Sequence, residues 1–192
     1  MGEINFEKEV EKALETMRSG GIILYPTDTV WGIGCDATNE AAVQKIYALK
    51  KRSEQKSMIV LVAAERDLFQ YVAALDLSIF DFLKEQQRPT TVIFDGAVNL
   101  APNLVNEDGS IAIRIVQDDF CRHLIKRLQR PVVSTSANIS GHQTPRTFFE
   151  ISEEIKSGVD YVVSYRQDDK SESAPSQIIK MGKDGSIHFI RK

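Results

Sequence analysis

The sequence is poor in the residues that mark disulfide frameworks, metal centres and membrane spans. Its only cysteines, Cys35 and Cys121, cannot form a disulfide framework, and their spacing fits no zinc motif. We expect both to be buried free thiols. The three histidines also lack metal-ligand spacing. No apolar run approaches the roughly 20 residues that span a bilayer, and residues 1–10 lack a secretory layout, so we expect a soluble cytoplasmic protein.

Neither sign of charge dominates the chain. It has 24 Lys plus Arg against 27 Asp plus Glu, a formal net charge of −3. This balance excludes a protein held to nucleic acid by overall charge alone, although it is compatible with a local basic patch. The hydrophobic share of 42% excludes general disorder. A length of 192 residues fits one compact domain, which we expect to span residues 1–192.

Two familiar catalytic motifs are also absent from the sequence. No Walker loop of the form Gly-x-x-x-x-Gly-Lys-Ser/Thr occurs, and the Gly20-Gly21 pair precedes a predicted strand instead of following one. Ser136 has no neighbouring His and acid in the sequence that would indicate a catalytic triad. Any nucleotide must therefore be bound by a different arrangement of residues.

Segments with strand-like and helix-like spacing of apolar residues alternate along the chain. This pattern predicts an α/β domain with a twisted mixed sheet flanked by helices. The predicted helices run from residue 6 to the Gly20-Gly21 stop and over 40–51, 65–74, 77–86, 118–129 and 147–156. The predicted strands cover 22–25, 58–63, 90–94, 110–116, 131–133, 161–164, 177–181 and 187–190. The last two strands flank residues 182–185, whose composition is typical of a hairpin turn, so the sheet should be mixed.

Two polar segments, residues 25–34 and 134–141, are predicted to be loops that follow buried strands. In open α/β sheets, ligands collect beyond the carboxyl ends of strands. The second segment holds four hydroxyls and an amide, neutral donors that suit phosphate or carboxylate oxygens. Either segment could instead be a turn or helix cap satisfied by its own side chains.

Positive charge occurs at two further positions of interest. Residues 50–56 form a basic run at the end of a predicted helix, where a phosphate site or a solvated helix terminus would each explain the charge. Arg114 interrupts the apolar run 111–116. An unpaired guanidinium is costly to bury, so Arg114 either binds an anion or faces water on a half-exposed strand.

Together these motifs resemble the YrdC-like family of threonylcarbamoyl-AMP synthases, in the short form without an extra C-terminal domain. The resemblance covers about residues 20–191. It rests on the stretch Tyr-Pro-Thr-Asp-Thr-Val-Trp-Gly at 25–32, the Lys50-x-Arg52 pair with Lys56, Arg114, and Ser-Thr-Ser-Ala-Asn-x-Ser-Gly at 134–141, in the family's order and approximate spacing. It implies a YrdC/RibB-like fold with a basic concave ligand cavity.

The resemblance also implies a reaction in which L-threonine, bicarbonate and ATP give L-threonylcarbamoyladenylate and pyrophosphate. The product is the donor for N6-threonylcarbamoylation of adenosine 37 in tRNA. The residues implied to hold threonine or its carbamate are Thr29, Arg114, Ser134 and Ser176. Those implied to surround ATP are Lys50, Arg52, Lys56, Ser110, Ser136, Asn138, Thr144 and Arg191. Arg52, Lys56 and Arg114 would supply the catalytic charge, and Mg²⁺ would arrive on the ATP phosphates without protein ligands.

The sequence departs from the family pattern near the threonine pocket. Leu61 stands where longer members carry a His that helps bind threonine, and Gln177 follows Ser176 where a Ser-Thr pair is common. Neither change removes a charge that the reaction needs.

Other functions compete with the synthase. A non-catalytic module for double-stranded RNA or tRNA could use a basic face built from Arg114, Arg122, Lys126, Arg127 and Arg130. A ribosome-maturation factor is a related possibility. A carbamoyl-transfer domain like that of hydrogenase-maturation proteins is disfavoured, because this chain has no room for their zinc-binding and acylphosphatase modules. If the synthase is correct, its labile product would pass to a downstream tRNA threonylcarbamoyl transferase complex.

Overall fold

Nine strands form one continuous sheet in the computed structural model, which describes residues 6–53, 58–172, 174–182 and 184–192. The strands are β1 (Ile23–Tyr25), β2 (Gly32–Gly34), β3 (Ile59–Val62), β4 (Thr90–Phe94), β5 (Ile111–Ile115), β6 (Val132–Ser136), β7 (Tyr161–Val162), β8 (Gln177–Met181) and β9 (Ile187–Arg191). Their order is β7-β1-β2-β6-β3-β5-β4-β8-β9. Three neighbouring pairs are parallel and the others antiparallel, which confirms the predicted mixed sheet.

Five α-helices flank the sheet in the described residues: α1 (Phe6–Arg18), α2 (Glu40–Lys50), α3 (Ser78–Glu85), α4 (Asp119–Leu128) and α5 (Glu153–Gly158). Side-chain hydrogen bonds at the N-cap explain where α2 and α4 begin. The Asn39 side chain accepts a hydrogen bond from the Ala42 amide, and Asp118 accepts one from the Cys121 amide. None of the described helices combines the length and apolarity needed to cross a membrane.

Parts of the two segments predicted as polar loops form strands. Residues 32–34 form β2, and β6 continues through Ser136. A Cβ at Gly34 would collide with the Val133 carbonyl oxygen and lie 2.6 Å from the Tyr25 ring. Glycine therefore lets β2 fit between β1 and β6, although its sequence carries no strand signal. The hydroxyl-rich end of β6 is held in the sheet by pairing with β2 and β3.

Two predicted helices are shorter than the apolar pattern indicated. Over 65–74 the chain forms a 3₁₀ helix at Glu65–Gln70, and over 147–156 a 3₁₀ turn at Phe148–Glu150 precedes α5. The Ser152 hydroxyl accepts from the Ile155 amide, so this cap starts a new helix in the middle of the predicted one. A local cap therefore starts a separate helix inside a segment that apolar periodicity alone predicts to be one helix.

The two faces of the central strands carry separate cores. On one face, alternate residues such as Val60, Ile113 and Val133 join a large cluster with α2. On the other face, Leu61 and Val132 join a second cluster with α1 and α4. The second cluster covers only part of its face, since further along the same face the strands carry hydroxyls and a guanidinium.

A row of paired residues marks the border of the second cluster. Val132, Leu61, Arg114, Thr91 and Ile178 are in register across β6, β3, β5, β4 and β8. The next row of paired residues on the same face contains Ser134 of β6, Ile59 of β3, Ala112 of β5 and Ile93 of β4. Because paired residues share a face, the sheet changes along its strands from a covered apolar surface to an open polar one.

Candidate active site

The open half of this sheet face forms the floor of a cavity of about 270 Å³. Eight of the twelve residues predicted for the site line it: Thr29, Arg52, Arg114, Ser134, Ser136, Thr144, Ser176 and Arg191. They come from segments far apart in sequence, which β3, β4, β5, β6, β8 and β9 bring together. Met58, Ile59, Ile93, Ile178 and Ile190 add an apolar part to the lining. The cavity can therefore hold a ligand that is partly anionic and partly apolar.

Arg114 is the most deeply buried charge in the cavity wall. Its residue is 2% exposed, and its Nη2 donates to Asp28 Oδ1 at 2.9 Å. Asp28 Oδ2 in turn accepts from the Gln117 amide at 3.2 Å. Arg114 Nε is buried and has no hydrogen-bond partner among the described residues. A buried donor without a partner is costly, and an acceptor placed next to it would satisfy it.

Asp28 is the residue that the sequence analysis missed. It lies in the recognised polar stretch, but nothing in its local sequence connects it to Arg114, 86 residues away. The available signal was the buried guanidinium itself, because a buried arginine needs a carboxylate or an anion nearby. The pairing also excludes the alternative in which Arg114 simply faces water.

Arg52 and Arg191 place two further guanidinium groups in the lining. Burial lowers the pKa of Arg191, and the positive charge of Arg114 lowers it further. Burial likewise lowers the pKa of Arg52. Arg114 is paired with Asp28, so Arg52 and Arg191 are the two arginines of the described lining that could face an anion most directly.

Hydroxyl groups supply neutral donors around the same cavity. Thr27 and Thr29 are joined through their Oγ1 atoms at 3.0 Å, and Thr27 Oγ1 also donates to the Val30 carbonyl at 2.8 Å. This short network fixes the turn that presents Thr29. Ser134, Thr135 and Ser136, at the end of β6, all line the cavity.

Lys50 and Asn138 lie behind the cavity lining. The Lys50 ammonium donates to the carbonyl oxygens of Ser136 and of Asn138, the latter at 2.6 Å, and the Ser140 amide donates to the Lys50 carbonyl at 2.9 Å. Burial lowers the pKa of Lys50 to about 7, and neighbouring Arg52 contributes. Asn138 Nδ2 donates to the His142 carbonyl at 2.7 Å. These contacts connect the end of α2 to the serine-rich segment.

Two other positions that the sequence singled out, Ser110 and Leu61, lie outside the cavity lining. Ser110 lies outside the lining, where its hydroxyl accepts from Asn106 Nδ2 at 3.0 Å and its amide donates to Asp108. Leu61 is fully buried in the second cluster beside Arg114. Lys56 lies outside the described residues.

The basic face of the RNA-binding alternative is not assembled as predicted. Arg114 faces the cavity and is not part of the α4 surface. Arg122 pairs with Asp119 at 3.5 Å, Arg130 with Asp36 at 2.7 Å, and Arg127 with Glu7. These ion pairs reduce the net positive charge of that surface.

The described lining contains no Cys, His, Asp, Glu or Lys side chain that could act with a hydroxyl as a nucleophile and base pair. Both cysteines are buried, as expected, and burial raises the pKa of each thiol. The arrangement of arginines and hydroxyls can bind anions.

Comparison with known proteins places this cavity in a family context. The family model Sua5_yciO_yrdC, described as "Telomere recombination", matches residues 15–192. A threonylcarbamoyl-AMP synthase of Idiomarina loihiensis is 35% identical over 74% of this chain and 78% of the relative. A putative threonylcarbamoyl-AMP synthase of Methanocaldococcus jannaschii is 35% identical over 97% of this chain and 88% of the relative.

The fold has a solved counterpart in P. abyssi Sua5 complexed with L-threonine. The TM-score is 0.84 at 21% identity, over 99% of this chain and 55% of that one, so this chain spans little more than half its length. At this identity the likeness establishes the fold alone. The family match and the sequence relatives confirm the resemblance predicted from the motifs, and the chain belongs to the Sua5/YciO/YrdC family.

Proposed function

We propose that this chain is a threonylcarbamoyl-AMP synthase that joins L-threonine, bicarbonate and ATP in the cavity described above. The observation that carries the proposal is the buried Arg114 fork, held on one side by Asp28 and with its Nε unpartnered. A fixed guanidinium with unused donors suits a carboxylate. Among neighbouring lining residues, Thr29, Ser134 and Ser176 offer hydroxyls for the rest of an amino acid.

The reaction needs no enzyme nucleophile. The threonine amine and bicarbonate combine to a carbamate with loss of water. A carbamate oxygen then attacks the α-phosphorus of ATP, and the bond to pyrophosphate breaks. The protein's task is to hold two anions in line and to neutralise the charge on the leaving pyrophosphate. Arg52 and Arg191 provide that charge, with hydroxyls of Ser136 and Thr144 beside them.

ATP enters as its magnesium complex in this proposal. The described lining offers hydroxyls and no carboxylate, which fits an ion carried by the phosphates. Bound in this way, Mg²⁺ would neutralise part of the phosphate charge. Lys50 and Asn138, which lie behind the lining, would shape the phosphate-binding segment, and Lys56 is assigned to ATP by the family resemblance alone.

The product would serve the modification of adenosine 37 in tRNA. Because an acyl adenylate of this kind is labile, we expect it to pass directly to a tRNA threonylcarbamoyl transferase complex, and we place both steps in the cytoplasm. Support for this role comes from the relatives named threonylcarbamoyl-AMP synthase.

The proposal is tested by pyrophosphate release from the purified chain with ATP, Mg²⁺ and bicarbonate, with and without L-threonine. L-serine is the substrate control. We expect release that depends on threonine and is lost in Arg52→Met. Lys51→Met, at an exposed neighbour that pairs with Glu154, is the matched control and should retain activity. Release that is independent of threonine, or no release from folded protein, would refute the synthase.

A further inference from the structure

Ser176 is held more firmly than a residue on a connecting segment usually is. It precedes β8, is 3% exposed, and lines the cavity. Its carbonyl oxygen accepts from Arg191 Nε at 3.0 Å and from Arg191 Nη2 at 2.7 Å. The next residue, Gln177, is fixed by donating from Nε2 to Thr90 Oγ1 at 2.6 Å. The backbone at Ser176 is therefore fixed from two sides.

The hydroxyl of Ser176 is fixed by a residue to which the family resemblance assigned no role. Thr91 is fully buried on β4, and its Oγ1 lies 2.8 Å from Ser176 Oγ. Thr91 is also in register with Arg114 on β5. It therefore places a hydroxyl in contact with Ser176 on the strand next to Arg114.

Hydrogen-bond capacity determines which way the Ser176 proton can point. A serine oxygen accepts two hydrogen bonds and donates one, whereas a guanidinium can only donate. Arg191 Nη2 lies 3.4 Å from Ser176 Oγ, on the accepting side of that oxygen. If Thr91 also donates to Ser176 Oγ, both acceptor positions are used, and the Ser176 proton is free to point into the cavity.

We propose that Thr91 is a positioning residue that directs the Ser176 hydroxyl toward the anionic group of the amino acid substrate. Thr91 donates to Ser176, and Ser176 donates to a carboxylate or carbamate oxygen beside Arg114. This inference rests on the proposed function, because it needs an amino acid in the cavity. Thr91 acts through Ser176 and is not itself a ligand of the substrate.

Matched threonine substitutions test the inference. Thr91→Val removes the hydroxyl with little change in shape, and Thr91→Ser retains it. Thr16→Val is the control, because Thr16 lies on α1, donates to the Lys12 carbonyl and does not line this cavity. Thr91→Cys, with a weaker donor, replaces the valine variant if that variant does not fold. KM for threonine, KM for ATP and kcat are measured by pyrophosphate release.

We expect Thr91→Val to raise the threonine KM about tenfold, the effect of one lost hydrogen bond, and to leave the ATP KM within about twofold. Thr91→Ser should restore the threonine KM, and Thr16→Val should leave it unchanged. In a double-mutant cycle, Thr91→Val should add nothing to Ser176→Ala, because the two residues act as one unit.

Two results would overturn the inference while the wild-type chain remains active: a Thr91→Val variant with unchanged threonine KM, or fully additive effects in the cycle. If the wild-type chain neither releases pyrophosphate with threonine nor binds L-threonine in calorimetry, the proposed function and this inference both fail. The wild-type measurement therefore separates the two failures.

Discussion

The two halves of one sheet face are built on the same strands and differ in what lies over them. In the covered half, Leu61 and Val132 pack under α1 and α4 in a continuous apolar cluster. In the open half, two residues away along the same strands, Ser134 and Ala112 border a cavity with three arginines. The covered half stabilises the fold, whereas the open half presents charged and hydroxyl side chains to the cavity. This difference makes the open half the candidate ligand site.

Arg114 stands at the border between the halves, so its substitution should have the largest effect. Arg114→Met keeps the length of the side chain but removes the guanidinium, and leaves Asp28 buried without its partner. We expect kcat/KM for threonine to fall by at least about 100-fold, corresponding to loss of a charge-assisted hydrogen-bonded pair. The free energy of unfolding should also fall, by about 3–5 kcal/mol.

Steady-state kinetics and urea unfolding measure both effects of Arg114→Met. Arg122→Met, at a half-exposed arginine of α4, is the control and should change the free energy of unfolding by less than about 0.5 kcal/mol. Kinetics close to those of the wild type would show that Arg114 has only a structural role.

Leu124→Ala tests the covered half. Leu124 is fully buried on α4 in the second cluster. The cavity left by the substitution should lower the free energy of unfolding by about 2–5 kcal/mol. Because the cluster supplies no donor to the ligands, KM and kcat of the folded variant should match the wild type below its melting temperature. A changed threonine KM with normal stability would contradict the division between the two halves.

Asp28→Asn tests whether the carboxylate orients the Arg114 fork. The amide still accepts from Arg114 Nη2 but does not carry the charge, so we expect a roughly tenfold rise in threonine KM with little change in ATP KM. Separate titrations of the two substrates measure this. Equal increases in both constants would indicate a general disturbance of the cavity and would count against a role specific to Arg114.

The smallest effect is expected behind the open half, at Lys50. Burial lowers its pKa to about 7 in the folded protein, whereas an unfolded lysine titrates near its ordinary value of about 10.4. Between these values the unfolded state binds more protons, so the contribution of Lys50 to stability rises with pH. The stability of the wild type relative to Lys50→Met should increase from about pH 7 to about pH 9, by less than about 1.4 kcal/mol per pH unit. Parallel pH profiles in urea unfolding would contradict this.

The sequence was sufficient to predict most of the fold, because apolar periodicity and capping residues act locally. Strands β3, β5 and β8 and helices α1, α2 and α4 lie close to their predicted bounds. The β2 strand was missed, since Gly32 and Gly34 have no strand preference and pair only because the surrounding sheet requires close approach. The end of β6 was missed for a related reason, as hydroxyls in a buried strand resemble a polar loop.

The site was predicted only in part. Its motifs identified residues that the fold brings to one cavity, but their partners lie far away in the chain. Asp28 meets Arg114 across 86 residues, and Thr91 meets Ser176 across 85. No local pattern records such pairings. For Lys50 the family resemblance implied support of the phosphates and of the serine-rich loop, and its ammonium donates to the carbonyls of Ser136 and Asn138 in that loop.

The most direct test of the proposed function is to follow isotopically labelled bicarbonate into product by mass spectrometry. The wild-type chain, supplied with MgATP, L-threonine and labelled bicarbonate, should form an adenylate that carries threonine and the labelled carbon. The product should require all three substrates and be absent with Arg52→Met or Arg114→Met. Formation of AMP without the label, or no adenylate from folded wild-type protein, would contradict the assignment of this cavity to threonylcarbamoyl-AMP synthesis.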